Sequence, residues 1–400
     1  LIDSSDGVQQ AGEVAFKRLE LISNDGVRHN LISSFTDFTL YEDLFSPILT
    51  GYVLIVDAHN LISTLPILGG ERLVVEFKTP GRDSIELSLR ITKIGHRDHA
   101  NKKNVYTLEF ISPEGFEDLN VRVSKSFSGN TSALVKRVYK EYFKSNISDA
   151  DLSDTFVKFV SPYWGPLKII NHITTLATYP NNKILTPNYL FYQTNKGHKF
   201  KSLTTLFNQT PKREYVFDEG YKRANDSSGS VRDVDGEYRG IKSLSFTSAQ
   251  DHIKNMLNGT YNHRVSSFDL FTKKFNVDTY SYTEDFNKNV HLGDVPLAGI
   301  QASKLSGLHT NKTTCQNLFI GVVDKSNNTM SVRVSLLGQL ETWKLNIVVH
   351  GETDSQVGDI VNITLKNFKP SAIGDKYNSD TYDKLYSGNY LISAIQHRFT

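Results

Sequence analysis

The sequence predicts a mainly β fold with α+β insertions: two tandem antiparallel β-barrel domains joined by an α/β connecting domain. Three observations carry this reading. Short runs in which Val, Ile, Leu and aromatics alternate with polar residues recur near both ends of the chain. Clusters of Gly, Pro and Asn punctuate those runs, as turns require. A stretch near residue 70 recurs near residue 358 with its chemistry in the same order. The expected units are an N-terminal arm (1–13), a first β domain (14–118) and a connecting domain (119–238) with an exposed loop at 221–240. A second β domain (239–400) follows, with an insertion at about 286–330.

In the first unit, alternation predicts strands at Phe16–Ile22, Ser34–Tyr41, Tyr52–Asp57, Leu73–Lys78, Ile85–Ile94 and Val105–Ile111. That many short strands suggest a small antiparallel barrel or sandwich. The texture then changes. Ser132–Lys144 sets Leu134, Val135, Val138, Tyr139 and Tyr142 on one helical face, with Ser132 as the expected N-cap. Pro166–Thr178 reads as a second helix, begun by a proline at a tolerated early position and ended at Pro180. A strand pair follows, Asn188–Gln193 and Phe200–Leu203, with a turn at Asn195–Gly197. Tyr221–Gly240, rich in Asp, Ser, Gly and Arg, reads as an exposed loop. Strands resume at Lys242–Phe246 and Val265–Tyr282, His291–Thr314 reads as an insertion, and Ser331–Glu341 as helix. The last strands fall at Trp343–Val349, Ile360–Asn367 and Gly388–Phe399.

The repeat links the two β units. Gly70-Glu71 precedes the alternating run Leu73–Phe77, and Gly358-Asp359 precedes Ile360–Leu365. Ile91-Thr92-Lys93-Ile94-Gly95-His96-Arg97 follows in the first copy, Ile392-Ser393-Ala394-Ile395-Gln396-His397-Arg398 in the second. Gly70 and Gly358, Ile94 and Ile395, and His96 and His397 are therefore expected to be equivalent structural positions. A chain with two such domains, assembled as a trimer, would present six similar domains in a ring, because symmetry fixes which surfaces repeat. The second copy is one strand short. After Arg97 the first copy turns into Val105–Phe110, whereas the second runs to Thr400 and leaves an edge for another chain or further residues to cover.

Composition excludes several function classes. Hydrophobic residues make up 38% of 400, enough to bury a core in a chain long enough for two or three domains. The formal net charge of +2 lacks the basic excess that a nucleic-acid partner asks for. Cys315 is the single cysteine, so an intramolecular disulfide is impossible and a Cys-based zinc site is not expected, which suits folding in a reducing compartment. No apolar run reaches the ~18 residues of a membrane span. Leu1–Gln10 is polar and acidic, unlike a signal peptide.

Chemical motifs are sparse. The sequence has no G-x-x-x-x-G-K-[ST], no H-E-x-x-H and no G-x-S-x-G. His96-Arg97-Asp98-His99 reads as a polar turn rather than a ligand set. Asp233-Val234-Asp235-Gly236-Glu237 lacks the twelfth-position glutamate of a calcium loop. Glu42 and Asp43, adjacent on a strand, face opposite sides and would not converge on one substrate. No catalytic residue, cofactor or metal is therefore expected. Tyr41, Glu42, Asp43, Leu44 and Phe45 are expected at barrel or interface positions.

Leu40–Pro47 followed by Gly51-Tyr52-Val53 resembles the first barrel of baseplate central hub proteins of T-even-like, cyanophage-type contractile-tailed phages. Leu65-Pro66-Ile67 with Gly69-Gly70-Glu71, Tyr106–Ser112, Arg122–Phe127, the Asn188–Phe200 strand pair and Gly388–Arg398 continue the likeness. It covers most of the chain, fades at 221–240 and 291–314, and rests on the order of strand patterns rather than on one specific motif. The resemblance implies a homotrimer with two tube-like barrels per subunit and pseudo-six-fold symmetry. Such a hub adapts a six-fold tail tube to a three-fold central spike. Its partners would be the spike protein, tail-tube and baseplate adaptor proteins and the tape-measure C-terminus. DNA would be met only in transit through the channel, and no stable membrane association is implied. The place would be the centre of the virion baseplate, after folding and assembly in the host bacterial cytoplasm. One departure from the family is the missing last strand of the second barrel. Two other readings remain: the hub part of a non-phage contractile injection system, and a tail-associated glycan-binding or glycan-hydrolysing protein.

Overall fold

The computed structural model describes residues 11–58, 61–64, 67–100, 103–180, 188–217, 234–249, 251–288, 291, 315–321, 327–366, 382–383 and 385–400. The fold is mainly β. Its first part holds β1 (Ala15–Ile22), β2 (Arg28–Asn30), β3 (Phe35–Asp43), β4 (Thr50–Asp57), β5 (Arg72–Lys78), β6 (Ile85–Ala100) and β7 (Lys103–Ile111). They form a curled sheet in the order β2-β1-β5-β6-β7-β4-β3. Alternation decides its inner face. Leu19, Phe38, Leu40, Val53, Leu73, Val75, Phe77, Leu89, Ile91, Leu108 and Phe110 are all buried against one another. Each such side chain contributes about 1.5–3 kcal/mol relative to exposure.

β6 is longer than its alternation suggests. The polar stretch His96–His99 continues the strand instead of turning, and the register against β7 shifts between Gly95 and Asp98. His96 sits in that bulge at φ +42°. A bulge gives one strand an extra residue and redirects side chains, which is how a polar run stays inside the ladder.

The connecting part begins with the helix Pro113–Asn120. It continues through β8 (Ser126–Asn130), the helix Thr131–Phe143, β9 (Asp149–Ala150) and β10 (Phe156–Val160). The helix Pro166–Leu176, β11 (Tyr189–Thr194) and β12 (Gly197–Ser202) complete it. The helix cap is Asn130 rather than Ser132: the Asn130 side chain accepts from the Ser132 amide. Asparagine places its carbonyl as well as serine places its hydroxyl, and it lies one residue outside the first turn. The two longer helices bury Leu134, Val135, Val138, Ile169, Ile170 and Ile173 against Phe127, Tyr189, Phe191 and Phe200.

The second β part holds β13 (Arg213–Phe217), β14 (Ile241–Ala249), β15 (Asn262–Asp269), β16 (Phe275–Ser281), β17 (Cys315–Gly321), β18 (Trp343–Val349), β19 (Ile360–Leu365), β20 (Gly388–Leu391) and β21 (Ala394–Phe399). Several expectations change here. β13 lies before the expected boundary at 238 yet pairs in parallel with β19, so it belongs to the second unit's sheet. Val265–Tyr282 is two strands, β15 and β16, turned at 270–274. In the expected loop at 221–240, Val234–Arg239 is helical, Gly240 bridges to Val216 of β13, and 221–233 lies outside the described residues. Apart from His291, the 291–314 insertion also lies outside them. Nearer the end of the expected 286–330 insertion, β17 pairs in parallel with β15 and is part of a sheet.

β21 gives the largest correction. The expected open edge at the end of the second copy is covered, by β3 of the same chain. Ala394 pairs with Asp43, Ile395 with Glu42, His397 with Leu40 and Phe399 with Phe38. The chain leaves β20, which pairs with β19, and crosses onto the first sheet as its eighth strand. Ring contacts seal the join: Phe399 lies 5.2 Å from Phe16, 5.9 Å from Phe38 and 4.9 Å from Phe77 between centroids.

Candidate functional site

The candidate site is the seam at which the first sheet meets the second β part. Two kinds of residue build it: the repeated turn that starts each ladder, and the strand β3 that both units share.

Both turns need a residue that accepts positive φ, and both have glycine there: Gly70 at φ +84° and Gly358 at φ +89°. The Gly70 amide donates to Ile91 O at 2.7 Å, and the Ile91 amide returns a bond to Glu71 O at 2.9 Å. The Gly358 amide donates to Ile392 O at 2.9 Å, and the Ile392 amide returns a bond to Asp359 O at 2.9 Å. Each acid closes its own turn. Glu71 Oε1 accepts from the Leu68 amide at 2.7 Å, and Asp359 Oδ2 from the Gln356 amide at 3.0 Å. The ladders then run in one register, Arg72 opposite Arg90 and Leu73 opposite Leu89 in the first, Ile360 opposite Leu391 and Val361 opposite Tyr390 in the second.

The two copies part company on either side. β5 has the antiparallel β1 as its other neighbour, whereas β19 has the parallel β13. Ile94 lies opposite Leu108 of β7, and Ile395 opposite Glu42 of β3. Thus β3 takes, in the second copy, the place that β7 takes in the first. Beyond these isoleucines the equivalence ends. His96 is exposed on its bulge, while the His397 side chain is 10% exposed and meets a carboxylate.

That carboxylate is Glu42, 1% exposed. Its Oε1 accepts from the Asn195 amide at 3.2 Å and lies 3.3 Å from His397 Nε2; its Oε2 accepts from the Val357 amide at 3.5 Å. One side chain on β3 thereby touches the connecting unit, the second turn and the last strand. A buried carboxylate is tolerated because each oxygen is hydrogen-bonded. Nearby, Arg398 Nη2 and Asp37 Oδ2 lie 2.8 Å apart, and the Asp37 carboxylate holds the guanidinium above its ordinary pKa.

The other expected positions follow the strand's alternation. Tyr41 is 38% exposed opposite Gln396, Asp43 is exposed, and Phe45 is 50% exposed. Leu44 is buried with Leu190, Tyr192, Leu203, Leu206 and Val357. The seam also uses residues that strand patterns gave no reason to single out. Tyr192 packs on Gly358 so closely that a Cβ there would lie 2.5 Å from its hydroxyl. Lys199 Nζ donates to Gln356 Oε1 at 2.7 Å, and burial pulls its pKa down despite nearby Asp359. His198 Nε2 donates to Pro47 O at 2.8 Å, and its Nδ1 lies 2.9 Å from Tyr139 Oη, whose hydroxyl also faces Glu114 Oε1 at 3.3 Å; burial holds the imidazole below its usual pKa. Arg213 pairs with the buried Glu352, and Arg82 Nη1 reaches Asp354 Oδ2 at 2.7 Å from the first unit.

A cleft of about 1860 Å³ runs beside the seam, lined by β18, β20, β21 and the outer residues of β3. Among the described residues, no group of three or more His, Cys, Asp and Glu is placed to hold a metal ion, and no helix is long and apolar enough to cross a membrane. Of the Asp233–Glu237 stretch, Asp233 and the side chains of Val234 and Asp235 lie outside the described residues, and Glu237 Oε2 accepts from the Ala11 amide at 3.4 Å.

No protein-family model and no curated protein matches the sequence. Solved structures do match the fold. The tail protein from Neisseria meningitidis MC58 aligns with 10% identity and a TM-score of 0.51, over 96% of this chain and 92% of that one. The 43 kDa tail protein of prophage MuSo2 from Shewanella oneidensis aligns with 9% identity and a TM-score of 0.52, over 95% of this chain and 94% of that one. The fold of this chain is therefore shared, nearly end to end, with these two tail proteins.

Proposed function

We propose that this chain is a structural hub subunit of a phage-type tail baseplate, not an enzyme. Three copies form a ring in which each contributes two β units, so that a trimer imitates six-fold symmetry. The hub joins a six-fold tail tube to a three-fold spike, with tube adaptors, the spike and the tape-measure C-terminus as neighbours and DNA passing through the centre. The observation that carries the reading is the twice-built turn and ladder, Gly70–Ile91 and Gly358–Ile392, stitched together by β21 on β3. Duplication supplies two similar units, and the stitch fixes their spacing within one chain, which a ring of six from three requires. The fold shared with two tail proteins, one of them from a prophage, supports the tail setting.

Sedimentation of the purified chain tests it. Three chains of 45.1 kDa each give a particle of about 135 kDa, held by subunit interfaces on the order of 2,000 Å². A chain that stays monomeric at tens of micromolar, alone and with its spike, would overturn the proposal.

A further inference from the structure

A surface on the connecting unit is built to receive a strand, and it lies outside the seam. β10 pairs with β8 alone among the described residues. The Thr131 amide donates to Thr155 O, and the Ser161 amide to Lys125 O. In an antiparallel pair the residues that face the partner alternate. Thr155, Val157, Phe159 and Ser161 therefore spend their backbone groups on β8. Phe156, Lys158 and Val160 turn their N–H and C=O groups to the outer edge, where no described residue bonds them.

The side chains of the same three residues point away from the core. Phe156 is 68% exposed and Val160 67%, with Lys158 exposed between them. Leu152 and Tyr163, 72% and 71% exposed, flank the strand in sequence. A two-stranded ribbon with a bare edge and an apolar outer face is marginal by itself, and an added strand satisfies both the backbone groups and the apolar surface.

We propose that this edge binds an extended segment of another protein, carrying an acidic residue between two apolar ones at alternate positions. Cross-strand pairing then sets the acid beside Lys158 and the apolar residues beside Phe156 and Val160. Self-pairing is disfavoured by the same geometry. Two copies of β10 in antiparallel contact, with Phe156 against Val160, would place the two Lys158 side chains opposite each other.

The probe is a nine-residue synthetic peptide, Ser-Thr-Val-Thr-Glu-Thr-Val-Thr-Ser, added at millimolar concentration to the full chain. Residue-resolved hydrogen exchange reads the edge. The amides of Phe156, Lys158 and Val160 should slow by about threefold or more, while those of Val157 and Phe159, already in the ladder with β8, stay unchanged. A peptide with Lys in place of Glu should give no slowing. The double variant Phe156→Ser, Val160→Ser should lose the response with its melting temperature unaltered, since both side chains are exposed. Three results would overturn the proposal: no slowing at those amides, equal slowing by the lysine peptide, or slowing that appears without peptide as chain concentration rises, the mark of a second copy. None of these depends on whether the chain forms a hub trimer.

Discussion

His397 on the last strand lies 3.3 Å from the buried Oε1 of Glu42 on the third, so the end of the chain is tied to a carboxylate near its beginning. The same carboxylate accepts from two backbone amides in other parts of the fold. The tie is specific to its geometry and leads to unequal costs for similar substitutions.

Glu42→Ala should strip the Asn195 and Val357 amides of their acceptor and destabilise the chain by about 2–4 kcal/mol, since a buried donor left unpaired costs ~1–3 kcal/mol. Glu42→Gln keeps an acceptor oxygen and should cost markedly less. Urea unfolding of the two variants distinguishes them; equal losses would mean that the carboxylate does not hold the seam.

Phe399→Ala should cost about 2–3 kcal/mol, below the ~3–5 kcal/mol of a fully buried phenylalanine because its ring is half-buried. Removing residues 394–400 should do more. It bares the β3 edge and the Phe16, Phe38 and Phe77 cluster, and exchange at the Phe38, Leu40 and Glu42 amides, which face β21, should rise by orders of magnitude while the connecting helices stay protected. Unchanged exchange on β3 would show that β21 is an ornament to the first sheet.

The two turn glycines should respond differently to alanine. Both have positive φ, which alone costs about 1–2 kcal/mol for a residue with a Cβ. At Gly70 the new methyl meets Phe116 at 3.3 Å; at Gly358 it meets the Tyr192 hydroxyl at 2.5 Å. Gly358→Ala should therefore be the worse of the two, and Tyr192→Phe should recover part of its loss but none of that of Gly70→Ala. Thermal melts of the four variants and wild type check the pattern.

How much of this could be read from the sequence follows from what strand patterns encode. A glycine and an acid before an alternating run mark a turn with positive φ and a self-capping carboxylate, and Gly70-Glu71 and Gly358-Asp359 form that turn. Alternation also separates Glu42 from Asp43 correctly. It says nothing about which sheet a strand joins, so β21 reads as the end of the second unit although it lies on the first. β13 and β17 are hidden because their parallel partners, β19 and β15, lie far away in sequence. The junction at Glu42 was legible only as a place on a strand, since its three partners come from residues 195, 357 and 397.

Acid should weaken the fold in a defined window. Burial holds His198 below the ordinary histidine value of 6.5, and His172 likewise. In the unfolded chain these imidazoles take up protons near pH 6.5; in the folded chain they stay neutral to lower pH. Their contribution is thus present above about 6.5 and is lost as the pH falls through and below it. The urea midpoint should drop between pH 7.5 and 5, and His198→Gln, less stable at pH 7.5, should show a shallower drop. A wild-type midpoint that rises on acidification would contradict the neutral His198 between Pro47 and Tyr139.

The central claim is that one chain builds the same turn and ladder twice so that three chains can stand in for six. Electron microscopy of the purified assembly, viewed down its axis, tests this most directly. The account predicts a closed ring of three chains with six β units around a central channel, the β5–β6 and β19–β20 ladders alternating at one radius. A ring in which those ladders lie at different radii, or an assembly without three-fold symmetry, would contradict it.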